Sequence, residues 1–173
     1  MKDDKLSPAR GPDGAPLPCQ TGPPRRILVV DDEPDIRRLN AEVLKSSGYV
    51  VDTAEDGKAG WHALRAASHA PDSYDLLITD HNMPELSGLA LVKKLRAARM
   101  DLPVIMASGT LPQEDLFARY PWLQPAVVLI KPYGVEDLLG TVEQVLRGTV
   151  SPGEQIAPPP DWRSRPSAGG LRL

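Results

Sequence analysis

The sequence contains a single cysteine, and aromatic residues make up only 5% of its 173 residues. One cysteine, Cys19, can form neither an internal disulfide nor a cysteine-based metal site. The fold is therefore not expected to depend on an oxidising compartment. With so few aromatic side chains, most of the hydrophobic core must come from Leu, Val, Ile and Ala.

Long apolar runs and an excess of basic charge are also missing. No stretch approaches the roughly 18 apolar residues that a membrane helix needs, and the opening MKDDKLSPAR lacks the apolar region of a secretion signal. The formal net charge is −3, whereas a nucleic-acid-binding surface is basic. These absences predict a cytoplasmic protein that binds neither a membrane nor nucleic acid.

Both ends of the chain are rich in proline, glycine and charge. Residues 1–25 and 149–173 hold few large apolar side chains, so they cannot bury enough surface to offset the entropy that is lost on ordering. The sequence therefore predicts a disordered Pro/Gly-rich N-terminal arm, a single folded domain at 26–148, and a disordered Pro-rich C-terminal tail. Neither tail is long or apolar enough to be an output module.

Within residues 26–148, short apolar runs alternate with amphipathic stretches. The predicted strands are Arg26–Val30, Tyr49–Thr53, Asp75–Thr79, Pro103–Ala107 and Ala126–Ile130. Two predicted helices begin at Pro34 and at Val135. Two more cover Lys58–Ala67 and Gly88–Ala98, and the weakest prediction is a helix at Pro112–Tyr120. A βα unit repeated five times predicts an α/β fold in which helices cover both faces of a parallel sheet.

Polar side chains follow four of the five predicted strands. They are Asp31 and Asp32, then Asp80, Ser108 and Lys131. Open parallel sheets bind ligands beyond the carboxyl ends of their strands. A single acid at such a position would be read as a solvated loop residue, but five side chains at one edge predict a site.

The chemistry of these five residues indicates phosphoryl transfer. Clustered carboxylates repel each other and need a cation, and hard oxygen ligands suit Mg²⁺. Lys131 and Ser108 suit an anion beside the metal, as a point charge and a hydroxyl donor. Acid, metal, lysine and hydroxyl together are typical of phosphoryl-transfer sites, although the GxxxxGK[ST] loop of P-loop proteins is absent.

Four motifs in order carry a resemblance to a known family. They are ILVVDDEPDIR, LLITDHNMPELSG, PVIMASG and LIKPY, beginning at Ile27, Leu76, Pro103 and Leu129. With them, residues 26–148 resemble the receiver domains of two-component response regulators. The resemblance implies a flavodoxin-like sheet of order 2-1-3-4-5 and a bacterial phosphorelay whose donor is a histidine kinase or histidine phosphotransfer protein.

The resemblance also implies a role for each acidic residue of the site. Asp80 would be the phosphoacceptor. Asp32 and Asp80 would bind Mg²⁺ directly, together with the backbone carbonyl of Asn82, and Asp31 would act through a metal-bound water. The domain would catalyse only its own phosphorylation and dephosphorylation, and would not otherwise be an enzyme.

The remaining family positions concern the phosphoryl group and the output. Lys131 would bind the phosphoryl group and precede a cis peptide bond, and Ser108 would move toward that group. Thr110 and His81 would lie on the rim of the site and tune it. Active receivers often have an aromatic residue where this chain has Val128, so the output surface is expected to differ. The signal would pass to an unknown downstream protein without an output domain in this chain.

Three other functions compete with a phosphorylated receiver. A pseudo-receiver scaffold would keep this fold without taking phosphate, but the intact site residues argue against it. An FMN-binding electron carrier would need a Ser/Thr/Gly-rich phosphate loop where this chain has DDEP. A phosphatase would turn over small phosphate esters repeatedly.

Overall fold

A computed structural model describes residues 23–68, 73–109, 117, 120–148 and 154–156. Several predicted features lie outside these residues. They are Cys19, Thr110, most of the predicted helix Pro112–Tyr120, and both terminal segments apart from 23–25 and 154–156.

Six parallel strands form one sheet in the order β2-β1-β3-β4-β5-β6. The strands are β1 Arg26–Val30, β2 Val50–Ala54, β3 Leu76–Asp80, β4 Val104–Ser108, β5 Val127–Ile130 and β6 Glu154–Ile156. The order of the first five strands, 2-1-3-4-5, is the predicted one. Because β1 lies between β2 and β3, the chain changes direction across the sheet at the carboxyl ends of β1 and β3, where α/β sheets bind ligands.

The helices cover both faces of the sheet, as the alternation of elements predicted. They are α1 Pro34–Ser46, α2 Gly57–Ala67, α3 Gly88–Ala97 and α4 Val135–Arg147, with a short 3-10 helix at Pro121–Leu123. On one face, Ile27 of β1 packs in a cluster with Leu44 of α1 and Leu138 of α4. On the other face, Leu28 packs in a cluster with residues of α2 and α3. Among the described residues no helix is long and apolar enough to cross a membrane.

Local sequence signals set where these helices begin. Pro34 occupies the first turn of α1, where its missing N–H costs nothing. The side chain of Asp56 accepts the backbone N–H of Ala59 at the start of α2. Ser87, the predicted N-cap of α3, accepts the N–H of Ala90 at 3.3 Å. The α3 helix therefore starts directly after the loop that follows β3.

The sixth strand is a correction to the predicted disordered C-terminal tail. Glu154–Ile156 pairs in parallel with β5, with Val127 opposite Glu154 and Leu129 opposite Ile156. An edge strand satisfies its backbone groups by pairing with the neighbouring strand, and the pairing of these three residues with β5 is of this kind. The prediction of disorder was wrong for these three residues.

A polar cluster joins β1, β2 and the residues before β3 at the end of the sheet opposite the predicted site. The Arg26 guanidinium donates to Asp52 at 2.6 and 2.9 Å and lies 4.7 Å from the centre of the Tyr74 ring. The Tyr74 hydroxyl donates to the same Asp52 carboxylate at 2.9 Å. Burial and this carboxylate raise the pKa of Tyr74 to about 12, so its hydroxyl stays protonated.

Candidate functional site

The loop after β1 carries one buried and one exposed carboxylate. Asp31 is only 2% exposed, and its Oδ1 accepts the backbone N–H of Glu33 at 2.9 Å. Asp32 next to it is exposed. Arg37 of α1 donates from Nη1 to the backbone carbonyl of Asp31 at 2.6 Å. The acidic loop is therefore fixed both by its own turn and by the first helix.

Asp80 is the last residue of β3 and lies 7% exposed at the carboxyl edge of the sheet. Its Oδ2 accepts the backbone N–H of Asn82 at 2.6 Å, which orients the carboxylate toward the edge. Gly88 begins α3 against this residue, and a Cβ on Gly88 would lie 2.1 Å from the carbonyl oxygen of Asp80. Only glycine lets the helix begin so close to the strand end.

Lys131 joins the acids of β1 and β3. Its Nζ lies 2.6 Å from Asp80 Oδ1 and 3.1 Å from Asp31 Oδ2, with Glu33 Oε1 at 3.8 Å. The peptide bond from Lys131 to Pro132 is cis, as the resemblance implied. The structure thus brings Asp31, Asp80 and Lys131 together, although they are far apart in the sequence.

In this cluster, burial and the neighbouring hydrogen bonds shift the pKa of Lys131 in opposite directions, and they do the same to the pKa of Asp31. Partial burial alone would lower the pKa of Lys131, but the hydrogen bonds and charges of Asp80 and Asp31 outweigh burial and raise it. Lys131 therefore stays charged. Burial raises the pKa of Asp31 above 3.8, even though Glu33 and Lys131 favour its ionised form. One ammonium does not fully compensate for the burial of the Asp31 carboxylate.

The hydroxyl and the rim residues occupy the neighbouring strands. Ser108 is buried and is the last residue of β4, rather than the residue after it. Nδ1 of His81 lies 3.1 Å from the sulfur of Met106, so the ring turns toward β4. Val128 is 2% exposed and pairs with Met106 in the sheet register. The position that is often aromatic thus holds a small side chain inside the sheet.

Two contacts near the site were not predicted from the sequence. They are the bond from Arg37 to the carbonyl of Asp31 and the bond between Asn40 and Tyr133. Asn40 is 4% exposed and donates from Nδ2 to the hydroxyl of Tyr133 at 3.0 Å. The one available signal was an asparagine directly after Leu39 in an otherwise apolar stripe of α1.

The oxygen atoms at this edge fit Mg²⁺. The donors that the resemblance implied are the carboxylates of Asp31, Asp32 and Asp80 and the backbone carbonyl of Asn82, and all of these are hard oxygen ligands. In the described parts of the chain, no three acidic, His or Cys side chains converge as a ready metal cage. Mg²⁺ usually takes one or two carboxylates and keeps several waters. The site therefore fits a partly hydrated Mg²⁺ rather than an enclosed ion.

Comparison with known families agrees with this geometry. The model of the response regulator receiver domain matches residues 27–143. Among curated proteins, the transcriptional regulatory protein PrrA of Mycobacterium tuberculosis is 36% identical over 124 residues, which are 70% of this chain and 50% of PrrA. RprY of Bacteroides fragilis, another transcriptional regulatory protein, is 30% identical over 122 residues, 70% of this chain and 49% of RprY. The chain spans about half the length of these curated relatives.

Solved structures show the same likeness. The chemotaxis protein CheY4 of Vibrio cholerae is 31% identical with a TM-score of 0.61, over 71% of this chain and 99% of CheY4. The response regulator TrrA of Thermotoga maritima, solved in complex with Mg(2+)-BeF, is 31% identical with a TM-score of 0.59, over 70% of this chain and 98% of TrrA. The matched motifs, the strand order and the clustered edge residues together show that the chain belongs to the response regulator receiver domain family.

Proposed function

We propose that this receiver domain accepts a phosphoryl group on Asp80 in a Mg²⁺-dependent reaction, from a histidine kinase or a histidine phosphotransfer protein. The observation that carries the proposal is the contact of Lys131 Nζ with both Asp80 and Asp31, at 2.6 and 3.1 Å. This contact brings two carboxylates and one ammonium together at one sheet edge, which supports Asp80 as the acceptor. The Mg(2+)-BeF complex of TrrA supports the same use of metal and phosphoryl group here.

In the proposed reaction, a carboxylate oxygen of Asp80 attacks the phosphorus atom. The new P–O bond forms as the P–N bond to the donor histidine breaks, and the imidazole keeps the electron pair. Aspartate is a weak nucleophile, so most of the rate comes from positioning and from neutralising charge on the transferring group. A bound Mg²⁺ would supply part of that neutralisation.

Lys131 supplies the rest of the positive charge. In the structure it contacts Asp80 Oδ1 directly, so it must shift from this oxygen to the incoming phosphoryl oxygens. Asp31 stays within reach of the ammonium and keeps it at the edge during that shift. In this proposal the domain catalyses only its own phosphorylation and the later hydrolysis, and it acts on no other substrate.

The output proposed for the phosphorylated form is a change in binding to another protein. Ser108 lies buried at the end of β4, where new phosphoryl oxygens can attract its hydroxyl and shift the strand end. The formal charge of −3 supports a protein partner rather than nucleic acid. The transcriptional regulators RprY and PrrA are about twice as long as the part that this chain matches.

The test is phosphorylation by a small acyl phosphate, followed by intact mass. We expect the parent protein to gain one phosphoryl group with Mg²⁺, and to gain none when Mg²⁺ is chelated. Asp80→Asn should gain none under either condition. A gain that is independent of Mg²⁺, or one that persists in Asp80→Asn, would contradict the proposal.

A non-phosphorylated pseudo-receiver scaffold is the second candidate, and one observation favours it. Lys131 already pairs with two of the site's carboxylates, so the acidic edge is partly neutralised without a metal ion. A Mg²⁺ titration followed by calorimetry separates the two functions. If the chain is a receiver that accepts phosphate, the parent protein binds Mg²⁺ and Asp80→Asn binds it more weakly. If the chain is a scaffold of this kind, neither protein binds Mg²⁺.

A further inference from the structure

The turn between β5 and α4 carries Lys131 and is joined to α1 by a side-chain hydrogen bond. Nδ2 of Asn40 donates to the hydroxyl of Tyr133 at 3.0 Å. Asn40 lies in the second turn of α1, and Tyr133 follows Lys131 by two residues. The contact therefore joins the first helix to the segment that presents the ammonium.

Asn40 is an unusual residue for its place. It is 4% exposed and points into the interface where its neighbours Ile36, Val43 and Leu44 are apolar. A buried amide costs free energy unless it is hydrogen-bonded. Burial raises the pKa of Tyr133, so its hydroxyl remains neutral and available to Asn40.

The turn also approaches α1 through apolar packing, since Tyr133 lies against the core cluster that contains Leu44. A groove of about 320 Å³ separates the helix from the turn, and its walls include Leu39, Asn40, Tyr133 and Val135. Leu39 and Val135 are 51% and 49% exposed, so the outer part of the groove is open. A hydrogen bond fixes both distance and direction, whereas loose apolar contact across an open groove fixes neither.

The same helix also holds the acidic loop. Arg37 donates to the carbonyl of Asp31 at 2.6 Å, and it precedes Asn40 by one helical turn, so both residues lie on one side of α1. Through these two contacts α1 connects the backbone of the acidic loop with the turn of Lys131. The relative placement of the two halves of the site thus depends on one rigid element.

We propose that Asn40 and Tyr133 are positioning residues for Lys131: their hydrogen bond fixes the turn so that the ammonium lies beside Asp80, where it receives a phosphoryl group. The proposal rests on the function proposed above. It concerns the anion half of the site and leaves the metal-binding oxygens unaffected. Neither residue touches the reacting atoms.

The test uses Mg²⁺ alone and beryllofluoride with Mg²⁺ as a phosphoryl stand-in, with binding measured by calorimetry below the melting temperature. The variants are Tyr133→Phe, Asn40→Leu and the double variant. Tyr74→Phe is the matched control, since it loses a hydroxyl hydrogen bond to Asp52 at the opposite end of the sheet. Thermal unfolding of the four variants and the parent protein reports separately on stability.

We expect each single variant to lose about threefold to tenfold in beryllofluoride affinity, the range for losing one net hydrogen bond. Affinity for Mg²⁺ alone should stay within about twofold of the parent value, because the acidic loop is untouched. Tyr74→Phe should lower the melting temperature without changing either affinity. The double variant should bind like the single variants, since both remove the same contact.

Three outcomes would overturn the positioning role. They are unchanged beryllofluoride affinity in both single variants, losses that multiply in the double variant, and a parallel loss of Mg²⁺ affinity. A parent protein that binds Mg²⁺ but no beryllofluoride would instead overturn the proposed function. The two failures are therefore distinguishable.

Discussion

At the scale of single residues, the site holds the Asp31 carboxylate in a buried position that disfavours its charged form. Asp31 is 2% exposed, and burial raises its pKa despite the N–H of Glu33 and the charge of Lys131. A buried charge that is incompletely compensated costs stability. Functional sites commonly trade stability for chemistry in this way, and the Mg²⁺ that we propose for this site would compensate the charge of Asp31.

The raised pKa of Asp31 predicts the pH dependence of stability. Below the ordinary pKa of 3.8, Asp31 is protonated in both folded and unfolded chains and costs nothing. As pH rises from 3.8 through the raised pKa of the folded state, Asp31 ionises more readily in the unfolded chain than in the folded one. The folded state therefore loses stability. We therefore expect Asp31→Asn, without metal, to melt at a higher temperature than the parent at pH 7, with the difference shrinking as pH falls toward 4.

The control for this prediction is Asp35→Asn. Asp35 lies in the first turn of α1, where a negative charge interacts favourably with the helix dipole. Removal of this charge should therefore lower the melting temperature slightly. Thermal unfolding across a pH series measures both variants. An Asp31→Asn variant that is less stable than the parent at pH 7 would contradict the account of this carboxylate.

The sequence predicted which residues gather at the site but not how they are held. Asp31, Asp80, Ser108 and Lys131 were predictable because each ends or follows a buried strand, and parallel strands end at one edge. The hydrogen bond from Asn40 to Tyr133 joins residues 93 positions apart. It depends on how α1 packs against a turn, which no local pattern encodes.

At the scale of elements, two glycines fix the loop between β3 and α3. A Cβ on Gly88 would lie 2.1 Å from the carbonyl oxygen of Asp80, and a Cβ on Gly57 would lie 2.1 Å from that of Leu86. These approaches press the starts of α3 and α2 against the loop that carries Asn82. The backbone around Asp80 is therefore held by close packing.

This packing predicts opposite effects of two Gly→Ala changes. Gly88→Ala should destabilise the domain by about 1–3 kcal/mol, because the strand end or the helix must move. Gly140→Ala is the matched control: it is exposed within α4 with nothing within 4 Å of the added Cβ, so it should stabilise by up to about 1 kcal/mol. Urea unfolding measures both, and a Gly88→Ala variant as stable as the parent would contradict the close approach.

Element boundaries were less predictable than element types. The predicted strands Tyr49–Thr53 and Asp75–Thr79 are shifted by one residue to Val50–Ala54 and Leu76–Asp80. Asp80 joins the ladder opposite Ala107 although it is polar. The strand Glu154–Ile156 was missed, since its pairing with β5 uses backbone groups, which no side-chain pattern reveals.

At the scale of the whole molecule, the strand order creates the site. The chain runs from β1 outward to β2 and returns to β3 on the other side of β1, so the acidic loop and Asp80 become neighbours at the switch point. Strand β5 lies two places from β3, and the long side chain of Lys131 spans that distance to Asp80. The fivefold alternation of strands and helices predicted the parallel sheet with helices on both faces, and the resemblance to receiver domains implied its strand order.

The most direct test of the account is chemical mapping of the acceptor. The parent protein is phosphorylated with a small acyl phosphate and Mg²⁺, reduced with borohydride, which converts an aspartyl phosphate to homoserine, and digested for peptide mass spectrometry. The account predicts homoserine at position 80 and at no other aspartate. Homoserine at Asp31 or Asp32, or unmodified Asp80 in protein that has gained a phosphoryl group, would contradict it.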